Sequence, residues 1–465
     1  MKKRLVALVV GAAMITTGLL LGCTGNDTTP AGDDVVVEEP AETPVEEPAE
    51  EPAIVGEEVV INFFHMTWVP EMLEVVEETI AVFEAENPGI RVVETRVSWT
   101  DAPSQLMASI MGGSPPDIVM ANPSILAQFR GLGAFADLTD RIDPAFVDGL
   151  FPTAVQIMTN PYGRFDGKPQ EGANWALFYR KDLFEEAGLD PNRPPTNWEE
   201  LVEMAEALTV DTNGDGVVDQ FGFGWPVAAE NATDYWVNFM QMAGSPITEF
   251  VDGNWVSRLD GPEALQATQF MVDLVQEYGV SPASIVGWDW EGVTNAFVSG
   301  DVAMMHNGGW VVGVVQERGP ELEGQWGTAW LPAGPAGYAF RGHPNTFHIL
   351  EASNHQDEAW AFLEFFYNAP SQIPGLTFMD AFCAAPGGMM YTHDFLEWAI
   401  ENYDPLLTPF LEAAEYAVIP PMDPQWMNLS NMYVQSTVQE MLMGTVSVED
   451  GLARLHAALL DMQAQ

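Results

Sequence analysis

Basic residues are scarce in this sequence. Its 465 residues include 16 lysine and arginine residues against 68 aspartate and glutamate residues, which gives a formal net charge of −52. After residue 4 the sequence contains only two lysines, Lys168 and Lys181. A field of this sign repels phosphate backbones, so we expect no nucleic-acid partner. Anionic ligands are disfavoured for the same reason, although one well-placed arginine can reverse this locally.

Recognisable catalytic motifs are also lacking. The sequence has no GxSxG, no HExxH and no cysteine–histidine pattern, and we expect Cys383 to be a buried apolar residue. We therefore expect neither enzymatic activity nor a catalytic cofactor. A secreted carbohydrate-active hydrolase stays open as an alternative, because a pair of carboxylates can be found among 68 acidic residues, although no pair stands out.

The amino-terminal residues have the composition of an export signal. Residues 2–4 are basic, residues 5–21 are apolar, and the run ends in LLGC at residues 20–23. This ending resembles the lipobox of bacterial lipoproteins, in which the cysteine is acylated and becomes the new N-terminus. The resemblance implies a signal peptide over 1–22 and export to the outside of the cell membrane. A lipid on Cys23 would be the only membrane contact, and Cys383 would then have no disulfide partner.

Residues 23–58 have the composition of a tether. They are rich in proline and glutamate, they contain the near-repeat EEPAETPVEEPAEEPA, and they include no basic residue. Such a segment buries too little apolar surface to offset the entropy of ordering, and its like charges keep it extended.

Patterns typical of an α/β protein begin at Val59. The apolar run VVINFF predicts a buried strand, and Leu73, Val76, Ile80 and Phe83 recur at helical spacing before the turn NPG and the strand IRVVETRV. A third strand, DIVMAN, follows another helix, so this region predicts an open parallel sheet. Beyond Trp175, Thr196 and Glu199 indicate a capping box.

Three segments carry a resemblance to a known family. In chain order they are GGSPPDIVMANPSILAQFRGLGAFADLTD, GRFDGKPQEGANWALFYRKDLFEEAGLDPNRPPTNWEEL and FVSGDVAMMHNGGW. They resemble the extracellular solute-binding proteins that include the maltose-binding protein. The resemblance implies a monomer with two discontinuous α/β lobes, 59–173 plus 301–350 and 174–300 plus 351–465, joined by a hinge. It also implies that a sugar or oligosaccharide is captured in the cleft and delivered to the permease of an ABC importer.

A sugar site needs flat aromatic platforms beside hydrogen-bonding side chains. The sequence has 15 tryptophans, many of them where loops are expected, and for each one simple core packing is the competing interpretation. Positions after strands are favoured because ligands bind at the carboxyl ends of strands in open α/β sheets. The resemblance adds the loop that ends in Trp310 and the segment RGHPNTFHI. The predicted ligand-binding residues are Trp68, Trp99, Asn122, Trp175, Trp225, Trp288, Trp290, Asn307, Trp310, His343 and Asn345.

One loop has the oxygen spacing of a calcium site. Asp211, Asn213, Asp215 and Asp219 occupy loop positions 1, 3, 5 and 9, glycine occupies position 6, and the Val217 carbonyl is the remaining candidate ligand. Position 12 is a glycine and not the bidentate glutamate of a complete EF-hand. We predict a structural calcium ion, and the competing interpretation is an Asx-rich turn that binds no ion.

A different ligand class also remains open. An acidic cleft with aromatic walls suits organic cations such as polyamines. A metal-binding relative would need clustered tyrosine and histidine ligands, and the ten tyrosines are scattered singly.

Overall fold

A computed structural model describes residues 58–464, apart from residues 68, 100, 173, 229–230, 343 and 385–387, and for Asn231 it describes only the backbone. The signal peptide, the lipobox cysteine and nearly all of the tether therefore lie outside the described residues. The described residues belong to a single unit by their contacts.

The first lobe is built on a five-stranded sheet. Its strands, in spatial order, are Ile90–Arg96, Val59–His65, Ile118–Ala121, Thr346–Ile349 and Lys168–Pro169. The first three are parallel, as the β-α-β pattern predicted, and Thr346–Ile349 is antiparallel to both of its neighbours. The helices whose buried residues share its core are Pro70–Glu86, Ala102–Met111, Pro123–Gly131, Pro152–Met158, Gln356–Asn368, Phe378–Ala384 and His393–Asn402, with Pro144–Asp148 packed at the margin.

The first helix shows how the sequence determines these elements. Pro70 begins it, because proline lacks the N–H that would be unsatisfied there. The helix buries Met72, Val76, Thr79 and Phe83, at the spacing that places side chains on one face. It ends where the backbone and side-chain amides of Asn87 both donate to the carbonyl of Phe83.

The second lobe is built on a four-stranded sheet. Its strands, in spatial order, are Trp326–Ala329, Trp175–Arg180, Val302–Gly308 and Phe221–Gly224. Val302–Gly308 is antiparallel to Trp175–Arg180 and parallel to Phe221–Gly224. The helices of this lobe are Lys181–Glu186, Trp198–Ala207, Asn231–Met242, Pro262–Gln276, Trp290–Ser299, Val311–Arg318, Trp426–Leu429, Gln435–Leu442 and Val448–Gln463.

Short elements complete the described chain. A hairpin, Thr248–Val251 with Asn254–Ser257, extends from the second lobe. Two short strand pairs form near the junction of the lobes, Glu171–Gly172 with Met389–Met390 and Phe340–Arg341 with Ala417–Val418. The remaining helical turns are Ala283–Gly287, Pro320–Leu322, Pro405–Leu407, Thr408–Glu412, Ala413–Tyr416 and the π-helical Ser430–Val434.

The expected lobe boundaries are wrong in two places. The segment 301–350 was assigned to the first lobe, but Val302–Gly308 pairs inside the second sheet, and the chain joins the first sheet only at Thr346. The segment 351–465 was assigned to the second lobe, but three helices between 356 and 402 bury their apolar faces in the first core. Helical periodicity shows that a face is buried but does not show against which sheet, so the pattern could not decide this.

A capping box is present one residue later than predicted. The side chain of Asn197, and not that of Thr196, accepts a hydrogen bond from the helix, from Glu200 N at 2.9 Å. The Glu200 carboxylate accepts from the backbone and hydroxyl of Thr196 at 3.0 and 2.9 Å. The reciprocal bonding is therefore shared by three residues rather than by Thr196 and Glu199.

Candidate functional site in the inter-lobe cleft

The two sheets turn one edge each towards the junction of the lobes. At this edge of the first sheet, Val59–His65 and Ile118–Ala121 end and Thr346–Ile349 begins, since Thr346 pairs with both Ala121 and Pro169. At the corresponding edge of the second sheet, Gly308 pairs with Trp175. The chain passes directly from Pro169 to Trp175, so the two edges are at most about 20 Å apart. A cleft bounded by strand ends is the usual ligand position in such folds.

A row of tryptophans lies along the second-lobe edge. Trp175 begins its strand, and Trp225, Trp310 and Trp330 each follow the end of one of the other three strands. Their accessibility differs. Trp225 is 1% exposed and Trp175 is 6% exposed, whereas Trp310 is 46% exposed. Trp330 is partly buried, so Trp310 has the largest exposed fraction of the four.

Trp310 is held against Trp175. Their ring centroids are 5.4 Å apart and the rings are perpendicular, with an interplanar angle of 89°. The Trp310 ring also covers Gly308, where an added Cβ would lie 2.0 Å from ring atom Cζ3. Glycine at 308 therefore leaves the space in which the indole lies.

A hydrogen-bond chain fixes the orientation of Trp175 from below. Trp175 Nε1 donates to the Tyr235 hydroxyl at 3.1 Å, and that hydroxyl donates to Asn307 Oδ1 at 3.1 Å. Asn307 Nδ2 donates to the Trp290 carbonyl and the Thr294 hydroxyl, at 3.2 and 3.1 Å. Asn307 is buried and these bonds use both atoms of its amide, so it positions Trp175 and does not present its amide to the cleft.

Arg341 lies in the segment that leads from the strand Trp326–Ala329 of the second sheet to Thr346–Ile349 of the first, and its side chain lies over Trp175. Its guanidinium carbon is 4.8 Å from the centroid of Trp175, a cation–π distance. Its Nη2 is 2.8 Å from Asp234 Oδ1. Arg341 Nε is buried and has no hydrogen-bond partner within the described part of the chain. No pattern in the sequence singled out Arg341 or Asp234 as a ligand-binding residue. Asp234 lies in the first turn of a helix, where an acidic residue has a structural explanation of its own.

The first-lobe edge contains buried polar groups that have no hydrogen-bond partner among the residues that the structure describes. Gln170 is completely buried, and neither of its amide atoms bonds to another described residue. Thr67 Oγ1 and Asn345 Oδ1 are also buried and have no partner in this part of the chain. Such groups are rare, because each costs the desolvation energy of a polar atom. Asn345 Nδ2 donates to Glu171 Oε2 at 2.9 Å, and burial raises the pKa of the Glu171 carboxyl.

A π-helical turn adjoins the second-lobe edge. Ser430–Val434 interrupts the helical run between Trp426 and Leu442, and Ser430 Oγ donates to Thr233 Oγ1 at 3.0 Å. Met432 in this turn is 62% exposed. Single π-turns are frequent at functional sites, and no pattern in the sequence indicated this one.

The remaining predicted ligand-binding residues have other positions. Trp68 and His343 lie outside the described residues. Trp99 follows the strand Ile90–Arg96 and packs against the first core. Asn122 is at the cleft edge, where its side chain caps a helix by accepting from Ile125 N at 2.9 Å. Of the others, Trp225 is a core residue, Trp290 is the first residue of a helix, and Trp288 packs between the two cores of the second lobe.

The predicted calcium loop forms an exposed turn. Asp211 accepts from the backbone N–H groups of Gly214 and Gly216, at 2.6 and 2.7 Å, and these bonds lower its pKa. Asp219 accepts from Thr212 N at 2.8 Å, and Asp215 accepts from Val217 N at 2.8 Å. Asn213 Oδ1 accepts from Asp215 N.

These bonds form a series of Asx turns, which is the interpretation that competes with a calcium site. Throughout the described part of the chain, no three histidine, cysteine or acidic side chains converge as a metal site would require. Calcium binding by this loop stays a prediction.

The described residues also include no helix that is long and apolar enough to cross a membrane.

Comparison with known proteins identifies the family. The profile described as bacterial extracellular solute-binding protein matches residues 68–373, which is most of the folded chain. The chain belongs to this family. The resemblance proposed from the sequence is therefore confirmed, and so is the two-lobed α/β fold.

Several named relatives are similar to this chain over most of their own length. The chain is 28% identical to a binding protein of Brucella abortus (strain 2308) over 292 residues, which are 63% of this chain and 68% of the relative. It is 27% identical to the lactose-binding protein of Rhizobium radiobacter over 315 residues, 64% of this chain and 69% of the relative. The maltotriose-binding protein of Pyrococcus abyssi is 22% identical over 364 residues, 77% of this chain and 72% of the relative.

Solved structures share the fold. The sugar-binding protein MalE of Xanthomonas citri superposes with a TM-score of 0.73 at 22% identity, over 87% of this chain and 98% of that structure. The cyclic α-maltosyl-1,6-maltose binding protein of Arthrobacter globiformis superposes with a TM-score of 0.71 at 25% identity, over 87% of this chain and 99% of that structure.

Proposed function

We propose that this protein captures a sugar or oligosaccharide in the cleft between its lobes and delivers it to the permease of an ABC importer. The observation that carries the proposal is that the two walls of the cleft differ in chemistry, one being aromatic and the other polar. The second lobe presents the half-exposed Trp310 next to Trp175, over which Arg341 lies, and the first lobe contributes polar atoms of Gln170 and Asn345 that have no partner among the described residues.

This pairing matches the chemistry of a sugar. A pyranose ring has apolar C–H faces, which stack on an indole, and a rim of hydroxyl groups, which donate and accept hydrogen bonds. A sugar stacked on Trp310 would direct hydroxyls towards Arg341 and the first-lobe edge. The names of relatives that bind lactose and maltotriose support the same ligand class.

An organic cation fits this arrangement less well. The face of Trp175 that would attract a cation is already covered by the guanidinium of Arg341. A second positive charge beside Arg341 would be repelled, and Asp234 already compensates the first one. The family consists of solute-binding proteins, so the proposal assigns no catalytic residue. Glycosidase turnover by the purified protein would favour the hydrolase alternative.

Export and lipid anchoring are part of the proposal. The family is extracellular, and one relative, of Streptomyces antibioticus, is described as a lipoprotein. The LLGC motif supports acylation of Cys23, which would hold the sugar-binding lobes near the permease by way of the tether.

A thermal-shift screen tests the ligand class. Purified protein lacking residues 1–23 is melted with lactose, maltotriose, mannotriose, monosaccharides, spermidine and putrescine. A ligand at about one hundred times its Kd should raise the free energy of unfolding by about 2.7 kcal/mol. We expect the shift from a neutral sugar. A shift from the polyamines alone, or from no sugar in a broad panel, would contradict the proposal.

A further inference from the structure

An ion pair lies next to the tryptophans of the second-lobe edge. Arg341 is 8% exposed in its side chain and Asp234 is 30% exposed, and the two are joined at 2.8 Å. Arg341 lies over Trp175, which in turn contacts Trp310 at 5.4 Å between ring centroids. A ligand of two sugar rings that begins on Trp310 would therefore reach the pair.

The groups packed below the pair are uncharged. Burial, together with the charge of Arg341, lowers the pKa of His306 to about 3, so this imidazole is neutral near pH 7. Tyr235, whose ring lies 4.6 Å from that of His306, has a pKa raised by burial. Within the described residues around Trp175, Asp234 is thus the group that balances Arg341.

A guanidinium that lacked this partner would bind a carboxylate. Arginine and carboxylate groups form short, charge-assisted and frequently bidentate hydrogen bonds, which lysine cannot reproduce. In this protein the Asp234 carboxylate already interacts with the guanidinium. It also repels any second carboxylate brought to the same place.

We propose that Asp234 determines the charge specificity of the cleft: by pairing with Arg341 it excludes sugars that carry a carboxylate and leaves neutral sugars bound. This inference rests on the proposed sugar-binding function. It assigns to Asp234 a role in ligand selection that is separate from any stacking on Trp310.

The test uses pairs of trisaccharides that differ only at C6. These are β-1,4-linked mannotriose with the mannuronate trimer, and α-1,4-linked galactotriose with trigalacturonate. Affinities are measured by calorimetry for the wild type and for Asp234→Asn, which keeps the size of the side chain and removes its charge. We expect the wild type to bind neutral members only. In the variant the ratio of uronate affinity to neutral affinity should rise roughly tenfold or more.

A matched control separates this local effect from overall charge. Asp182 forms a bidentate pair with Arg180, at 2.9 and 2.6 Å, at the opposite end of the strand that begins with Trp175. Asp182→Asn changes the net charge of the protein by the same amount and should leave the ratio unchanged. Asp234→Glu, which keeps the charge, should continue to exclude the uronates.

Each result decides something. An unchanged ratio in Asp234→Asn, an equal gain in Asp182→Asn, or uronate binding by the wild type overturns the inference while the sugar-binding function stands. If Asp234→Asn and Asp234→Ser both lose the neutral sugar, the pair maintains the site itself and the inference is also overturned. If the wild type binds no sugar in the broader screen, the proposed function fails first.

Discussion

Truncation of Trp310 to alanine should weaken sugar binding about tenfold to a hundredfold while leaving the protein folded. A tryptophan side chain has up to about 250 Å² of surface. Since 46% of Trp310 is exposed, about 100 Å² remains for a ligand to cover. At about 25 cal/mol per Å² this contact contributes up to about 2.5 kcal/mol, and partial coverage contributes about half of that. Calorimetric titration with the best neutral sugar measures the loss directly.

A second variant tests the position of the Trp310 ring through the glycine beneath it. Gly308→Ala places a methyl group where the Trp310 ring now lies, since a Cβ at 308 would be 2.0 Å from Cζ3. The ring must therefore move, and binding should weaken although the indole is still present. Trp398, a partly buried tryptophan on the first lobe, supplies the control variant Trp398→Ala. If Trp310→Ala binds within twofold of the wild type, or if Trp398→Ala weakens binding equally, Trp310 is not the platform.

Three further predictions follow from single residues. Chelator should lower the Tm and calcium should restore it, in the wild type but not in Asp215→Ala; identical melting curves with and without chelator would leave a turn that binds no ion. Burial lowers the pKa of His306 in the folded protein to about 3, whereas histidine in an unfolded chain has a pKa of about 6.5. As the pH falls, the imidazole is therefore protonated first in the unfolded chain, and the free energy of unfolding decreases below about pH 6.5. The difference in unfolding free energy between wild type and His306→Leu should therefore change by about 1.4 kcal/mol per pH unit between pH 6 and 4, and a constant difference would contradict the buried neutral state. Cys23→Ser should release the protein from cell membranes; full retention after washing would exclude the lipid anchor.

The sequence predicted the fold class because its local patterns are strong. Runs such as VVINFF and DIVMAN consist mostly of Val, Ile, Phe and Met, as is usual for strands of parallel sheets, and they form parallel strands of the first sheet. It failed on the lobe boundaries because strand partnership is not a local property. The residue types of Val302–Gly308 suit a strand of either sheet, and only its pairing with Trp175–Arg180 shows that it belongs to the second.

The sequence patterns led to an exposed aromatic residue at the cleft edge but not to the charge pair. The position of Trp310 follows from a strand and two glycines, which are visible in the sequence. Asp234 and Arg341 are over one hundred residues apart in sequence and meet only because their segments converge at the lobe junction. Asn307 lies at this edge, but its amide is used by Tyr235, Trp290 and Thr294, and sequence spacing cannot reveal such competition.

The unlike walls of the cleft make closure necessary for affinity in the proposed mechanism. A sugar held by the second lobe alone gains stacking on Trp310 but leaves its far hydroxyls in water. In this mechanism the polar atoms of Gln170 and Asn345 that lack a partner among the described residues gain one when a ligand approaches the first-lobe edge. A ligand favours the closed state only by as much as it binds that state better than the open one. Here that difference is the set of hydrogen bonds on the first lobe. A ligand that stacks but lacks those hydroxyls should therefore bind weakly and fail to close the cleft.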